Sequence, residues 1–359
     1  MKVVGGLFAT VVAPIVVAIG VKYTDAVVPP PDPATNTSVA SSDKQPSPAS
    51  ISAGPPAEPQ PQSPSPPTPP PAAESQVLTP NDAEAPPAPT ATLVRLFNGR
   101  DLGGFYTFLG PPKADAKPLG RNRDPKRVFS VRGGLLRISG QIDGGLVTER
   151  EYANYKLTVE YRWGQKTWPP KERAARTSGI LLHCVGRDGG FQQRWLTSIK
   201  CQIKEGTTGD FVVFPSQGQW KPSVTVEADR RDIEKNAKRL VLYRYMPGAP
   251  LTTLSTGFVV RAGRDPGWKD EKGFRGADGL ELPPGEWNTL ECICQNDTIT
   301  VRLNGQTVNV GTAVRPKRGR IMLQSNGAEI FFRRVDLEPL GEPSSSARRD
   351  VAGRAGQSK

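Results

Sequence analysis

The chain has 359 residues, 37 of them proline and 37 glycine, with four cysteines, one histidine and a formal charge of +12. A single histidine, His183, excludes a multi-histidine zinc or iron centre and the HExxH metalloprotease helix. With no GxSxG-type elbow for a serine triad, acid–base chemistry falls mainly to carboxylates, lysine or tyrosine. Residues 1–90 hold three lysines against seven acidic residues, so about +14 sits on residues 91–340, a charge that favours anionic surfaces or substrates. The basic residues are scattered along alternating strands without a helix-turn-helix, zinc-finger or RNP-like pattern, so nucleic acid is not expected as a partner.

In chain order, Val3 to Val21 is an uncharged stretch between Lys2 and Lys22. Its nineteen residues approach the roughly 20 needed to cross a bilayer. Residues 1–24 are therefore expected to form an N-terminal membrane anchor, with a signal peptide cleaved near Ala18-Ile19-Gly20 as the alternative. The membrane is a partner through this segment, and the rest of the chain is expected outside the cytoplasm, tethered, or secreted or periplasmic after cleavage. About twenty prolines fall between Val28 and Ala91, where large apolar side chains nearly vanish, so residues 25–91 read as a disordered proline-rich linker. In polyproline II, at about 3.1 Å per residue, it would hold the domain more than ~100 Å from the bilayer. Residues 92–340 form the folded domain, and 341–359 a disordered tail.

Period-two alternation dominates the folded part. Tyr155 to Trp163 sets Tyr155, Leu157, Val159, Tyr161 and Trp163 on one face against Lys156, Thr158, Glu160 and Arg162, a strand pattern. Ile299–Leu303 and Thr307–Val310 flank Asn304-Gly305, a type I′ hairpin signal. Further strands are expected at Val128–Val131, Leu135–Ser139, Gly179–Cys184, Ser198–Lys204, Phe211–Phe214, Leu240–Arg244, Thr289–Cys294, Arg320–Gln324 and Ile330–Leu337. The one helical candidate runs from Arg231 to Arg239, and Lys221 to Glu286 otherwise reads as irregular loops. The fold class is all-β, a sandwich or barrel. Cys292 and Cys294 share a strand face, and Cys184 and Cys201 meet if their strands pair. Buried free thiols are the alternative to a disulfide.

Several segments together carry a family resemblance: Leu96–Leu102, Gly145–Thr148, Tyr155–Arg162, Ser178–His183, Ser198–Phe211, Gly285–Asn288, Val301–Gly305, Gly319–Gln324 and Ile330–Arg333. Their order and spacing resemble the 3-keto-disaccharide hydrolase domain family over nearly all of residues 93–340. The resemblance implies a concanavalin-like jelly-roll β-sandwich and a carbohydrate ligand. It also implies cleavage of glycosides carrying a ketone at sugar carbon 3. That ketone acidifies the C2 proton, so a base can remove it and expel the glycosidic oxygen before water adds back. The route needs a base, an acid and a group to stabilise the enolate, not the paired carboxylates of an ordinary glycosidase.

Strand faces supply the candidate residues. Ser198, Lys200, Gln202 and Lys204 lie opposite Ile199, Cys201 and Ile203, while His183, Gln324, Glu160 and Arg162 lie opposite the apolar faces of their own strands. If the strands are neighbours, these residues line one saccharide groove; cross-strand ion pairing alone also explains Glu160 and Arg162. Glu205 and Asp210 flank a tight glycine-bearing loop and are the candidate catalytic carboxylates, with Lys200 as third catalytic residue. Trp195 and Trp220 are candidates for stacking on sugar, whereas Trp163 shares the apolar face. Two carboxylates are too few to assign Ca²⁺ to the loop, so no cofactor is expected. In the family pattern Lys200 and Asn326 occupy positions where Glu is usual. The alternative reading is therefore a carbohydrate-binding module that has lost catalysis, and a third is an adhesion domain for acidic polysaccharide.

Overall fold

Alternating side chains are realised as nineteen strands, with no helix among the described residues, which in this computed structural model are 92–341 except 217, 236 and 237. The expected anchor, linker and tail lie outside them. In chain order the strands are β1 (Val94–Arg95), β2 (Phe105–Leu109), β3 (Gly120–Arg121), β4 (Phe129–Arg132), β5 (Leu135–Ile138) and β6 (Gly144–Thr148). Then come β7 (Tyr155–Thr167), β8 (Thr177–Val185), β9 (Thr197–Lys204), β10 (Phe211–Phe214), β11 (Ser223–Lys235) and β12 (Lys238–Tyr245). The last seven are β13 (Leu251–Leu254), β14 (Gly257–Val260), β15 (Asn288–Gln295), β16 (Thr298–Leu303), β17 (Gln306–Arg315), β18 (Arg320–Ser325) and β19 (Ala328–Pro339).

Two sheets result. The first runs β4-β5-β19-β7-β15-β16-β17, with β1 beside the second half of β19. The second runs β3-β2-β6-β18-β8-β9-β10-β14-β12-β11, and β11 also pairs with β17, joining the sheets at one edge. Their apolar faces meet in one core: Leu157, Val159 and Tyr161 of β7 and Cys292 of β15 belong to the same cluster as Ile180, Ile199, Cys201 and Leu323. This is a β-sandwich, because each sheet has one hydrophobic side and buries it against the other. At the β16–β17 turn Asn304 and Gly305 both take positive φ, 46° and 85°, as a type I′ hairpin requires.

Two expectations fail here. The described residues of Arg231–Arg239 are not helical: they belong to the β11–β12 ladder, which pairs Ala228 with Tyr245 through to Lys235 with Lys238. Val224, Val226 and Ala228 alternate into the core at the start of β11, and the ladder they establish overrides the helix preference of the charged residues that follow. The stretch from Lys221 to Glu286 is likewise half strand, β11 to β14, and only its second half is irregular. The cysteines are four buried free thiols. β8 and β9 do pair, but Cys201 sits opposite Ile180 and packs into the core, while Cys184 packs on the other side of the sheet.

Candidate active site

The outer face of the second sheet carries two kinds of surface. One part is apolar: Tyr106, Phe108, Val147, Leu181, Phe214 and Met322 cluster beneath Phe191, Trp195 and Leu196, which lie in the β8–β9 connection. Tyr106 fastens that connection by donating its hydroxyl to Asp188 over 2.7 Å. Beside this cluster the face is polar. Register places Gly145, Gln324, Gly179 and Gln202 in one row across four strands: Gln324 pairs with Gly145, Leu323 with Ile180, and Gly179 with Gln202. Both glycines in that row are covered by neighbouring side chains: a β-carbon on Gly145 would come within 2.2 Å of Met322. A β-carbon on Gly179 would come within 2.2 Å of Lys200 Cε, so the lysine chain leans across the gap from the adjacent position, opposite Leu181.

Lys200 is 3% exposed. Its ammonium lies 5.9 Å from the Phe214 ring centre and has no hydrogen bond or ion pair among the described residues. Burial first, and then the charges of Lys171 and Lys204, hold its pKa well below the usual lysine value; each disfavours the charged form. Gln324 is fully buried, and neither its amide oxygen nor its nitrogen has a protein partner. Leaving such a group unpaired costs about 1–3 kcal/mol.

The rim is charged. Lys171 donates to Asn326 Oδ1 over 2.5 Å, Arg194 pairs with Asp143 at 3.3 Å, and Lys204 with Asp270 at 2.9 Å. Trp268 lies under both the Lys204 ammonium, at 5.0 Å, and the Arg264 guanidinium, at 4.4 Å. Asp143 stands two residues before Gly145, on the same face. Burial raises its pKa, against the opposing fields of Lys171, Arg194 and Lys200. Asp143, Lys171, Arg194 and Trp268 escape the sequence reading. Asp143 alone leaves a signal, a carboxylate directly before the Gly144-Gly145 pair; the others sit in irregular connections that only the tertiary fold brings to the face.

Of the expected binding residues, Lys200, Gln202 and Gln324 come together, while Glu160, Arg162, His183 and Trp195 do not. Glu160 and Arg162 belong to β7, in the first sheet, so they face the opposite side of the sandwich. There Glu160 is ion-paired to Arg333 and, at 3.5 Å, to Arg334, while Arg162 stacks over Trp287 at 4.8 Å. His183 is turned by a bulge between Leu182 and Val185 into a left-handed conformation, φ 51°. Its ring meets Tyr155 edge-on at 5.8 Å, and Nδ1 lies 2.9 Å from the Pro316 carbonyl. Burial pushes this imidazole down to about 4. Trp195 is packed rather than presented, its Nε1 donating to the Gly144 carbonyl over 3.1 Å and its ring 5.6 Å from Phe214.

The loop after β9 separates its two carboxylates. Glu205 Oε1 binds the Arg176 guanidinium at 2.5 Å, and Oε2 accepts from the backbone N–H of Arg176 at 2.7 Å and of Gly273 at 2.9 Å. It lines a crevice with Trp163, Phe274 and Glu281. Three donors thus bind the Glu205 carboxylate, which clamps the loop to Arg176 and Gly273. Asp210 does lie on the face of Lys200 and adds its field to that lysine. It accepts from Arg261 N over 2.9 Å and from the Thr207 hydroxyl, with Arg264 at 3.9 Å, and burial raises its pKa. The loop oxygens are thus bound to protein donors rather than arrayed for a cation. Asp143 and Asp210 are the carboxylates that share the face of Lys200.

A family model described as the 3-keto-alpha-glucoside-1,2-lyase-like domain matches residues 92–338. Among solved structures, the chain is similar to an inferred glycosyl hydrolase from Parabacteroides distasonis, with 18% identity, 69% of this chain and 94% of that one covered, and a TM-score of 0.39. It is also similar to the carbohydrate binding module CBM66 of Bacillus subtilis (10% identity, 66% and 95% covered, TM-score 0.32). A third is the Bacillus licheniformis beta-glucanase (11% identity, 69% and 97% covered, TM-score 0.33). No curated protein matches the chain.

Proposed function

Because the chain belongs to the 3-keto-alpha-glucoside-1,2-lyase-like domain family, we propose that its sandwich is a concanavalin-like jelly roll whose polar outer face cleaves glycosides bearing a ketone at sugar carbon 3. The observation that carries this reading is the meeting of Lys200, Gln324 and Asp143 on one sheet face, with Lys200 and Gln324 buried and without an ion-pair or hydrogen-bond partner among the described residues. A buried lysine without a counter-ion is matched to a carbonyl oxygen that becomes negative as the adjacent C–H bond ionises. A carboxylate with a raised pKa is matched to receiving that C2 proton and returning it to the departing glycosidic oxygen. Gln324 and Gln202 supply the amide donors and acceptors that a sugar's hydroxyls require. Elimination followed by water addition gives net hydrolysis; stopping after elimination gives a lyase.

The ketone is the discriminating element, so the assay compares a 3-keto glucoside with the same glucoside unoxidised. Turnover of the keto substrate alone, reduced by about 10²–10⁴-fold in Asp143→Asn, is the expected result. Equal turnover of both substrates defeats the reading. The second reading, a binding module without catalysis, rests on Lys200 standing where a carboxylate is usual; saturable binding without turnover would establish it. We further propose that residues 1–24 anchor this domain to a membrane on its extracytoplasmic side through the 25–91 linker.

A further inference from the structure

Four features of Lys200 have no structural purpose of their own. It is a long cationic side chain buried at the centre of a sheet face. It makes no hydrogen bond or ion pair among the described residues. It reaches over a glycine that alone leaves room for it, next to a buried glutamine amide that no protein group satisfies. Replacing such a lysine by an apolar residue of similar volume would be neutral or stabilising on packing grounds. Its neighbours sharpen the point. Lys204 is paired to Asp270, Arg194 to Asp143, and Arg264 stands near Asp210, so each nearby carboxylate pairs with another cation. An amine kept from charge by burial and by flanking ammonium groups is the state in which lysine acts as a nucleophile toward carbonyls.

We infer that Lys200 is a covalent nucleophile that forms an iminium with the ketone of a 3-keto sugar seated on this face. This rests on the function proposed above and gives Lys200 a covalent role in place of the electrostatic one. The neutral amine adds to carbon 3 and, with uptake of one proton, a C=N bond replaces the C=O bond and one water leaves. The C2 proton passes to the Asp143 carboxylate as its electron pair moves towards the iminium nitrogen, giving an enamine. The enamine then expels the glycosidic oxygen from carbon 1, and that oxygen takes the proton held by Asp143. Water adds across the unsaturated iminium, its oxygen bonding carbon 1 and its proton going to carbon 2, and a second water hydrolyses the C=N bond, restoring ketone and amine and releasing the proton taken up at the start. One water is consumed per bond cleaved and no redox partner is needed. The Gln324 amide is placed to bind the sugar hydroxyls flanking the reacting carbons.

The test is reductive trapping of the full chain with a 3-keto glucoside and sodium cyanoborohydride. The expected outcome is time-dependent inactivation that needs both reagents, with one secondary-amine adduct on the peptide containing Lys200 and none on those containing Lys171 or Lys204. Lys200→Arg, checked for folding by its melting transition, is expected to lose both the adduct and turnover. Turnover without an adduct, or turnover kept within a few-fold in Lys200→Arg, would show a purely electrostatic cation and overturn the inference while leaving the proposed function standing. An adduct on Lys200 without turnover would uphold the nucleophile and overturn the hydrolase reading. Neither adduct nor turnover overturns the inference, and an adduct distributed over several lysines does the same.

Discussion

His183 shows how a residue's chemistry is set by a single backbone angle. In an unbroken strand it would stand opposite Leu182, on the polar face. The bulge at β8 turns it against Tyr155 instead, and the ring becomes a buried, neutral hydrogen-bonding group. A histidine with an unfolded pKa near 6.5 and a folded value of about 4 binds its proton in the unfolded chain first. Between those two pH values unfolding takes up one proton, so stability is fully present above about 6.5 and falls as pH drops through the folded value. The loss is about 3 kcal/mol in all. Urea midpoints measured from pH 7 to pH 4 are expected to fall less steeply in His183→Gln than in the parent, by close to one proton's worth of slope. Parallel curves for the two would refute the buried-imidazole account. The bulge itself is not legible from sequence, since Leu-Leu-His-Cys alternates as well as any regular strand.

At the scale of elements, the loop between β9 and β10 is held from outside as well as by its own turn bonds, among them Thr208 Oγ1 to the Lys204 carbonyl at 3.1 Å. Glu205 ties it to Arg176 and Gly273, and Glu281 accepts from the backbone N–H of Gly206 and Thr208 at 3.1 and 2.9 Å. Removing Glu205 leaves the Arg176 guanidinium buried without its charge partner, which costs about 3–5 kcal/mol. Glu205→Ala is therefore expected to lower the melting temperature by roughly 10 °C, at about 2–4 °C per kcal/mol for a domain of this size. Turnover per folded molecule should stay within about tenfold when measured below the transition. A variant as stable as the parent but inactive would return Glu205 to the catalytic role expected from sequence. Gly179→Ala tests the facing element, β8. Its new methyl must displace Lys200 Cε, so the expected effect is a fall in turnover larger than the accompanying loss of stability. Sequence exposes the strands β7, β9 and β16 plainly because each has one apolar face with period two. It hides β11 because charged residues fill its second half, and it hides the clamp because Arg176, Glu205 and Gly273 are joined only by tertiary packing.

For the whole molecule, the start of the family domain at residue 92 is open to inspection in sequence, since composition changes abruptly near Ala91. Sidedness is also readable within strands that lack a bulge, but not which sheet a strand joins. That is why Glu160 and Arg162, correctly placed on a polar face, belong to the wrong side of the sandwich for a site built around Lys200. The proposed anchor makes a separate claim, carried by the nineteen uncharged residues between Lys2 and Lys22. A segment of that length buries enough apolar surface to remain in a bilayer when peripheral electrostatic attachment is removed. In cells expressing the full chain, the protein is expected in the membrane fraction after washing with high salt and alkaline carbonate, and in solution only after detergent. Deleting residues 1–24 should release it to the soluble fraction without changing turnover. A mature N-terminus close to Val21, found by sequencing protein recovered from the soluble extracytoplasmic fraction, would replace the anchor with a cleaved signal. Protein retained in the cytoplasm would defeat both forms of the claim, because the same apolar segment underlies each.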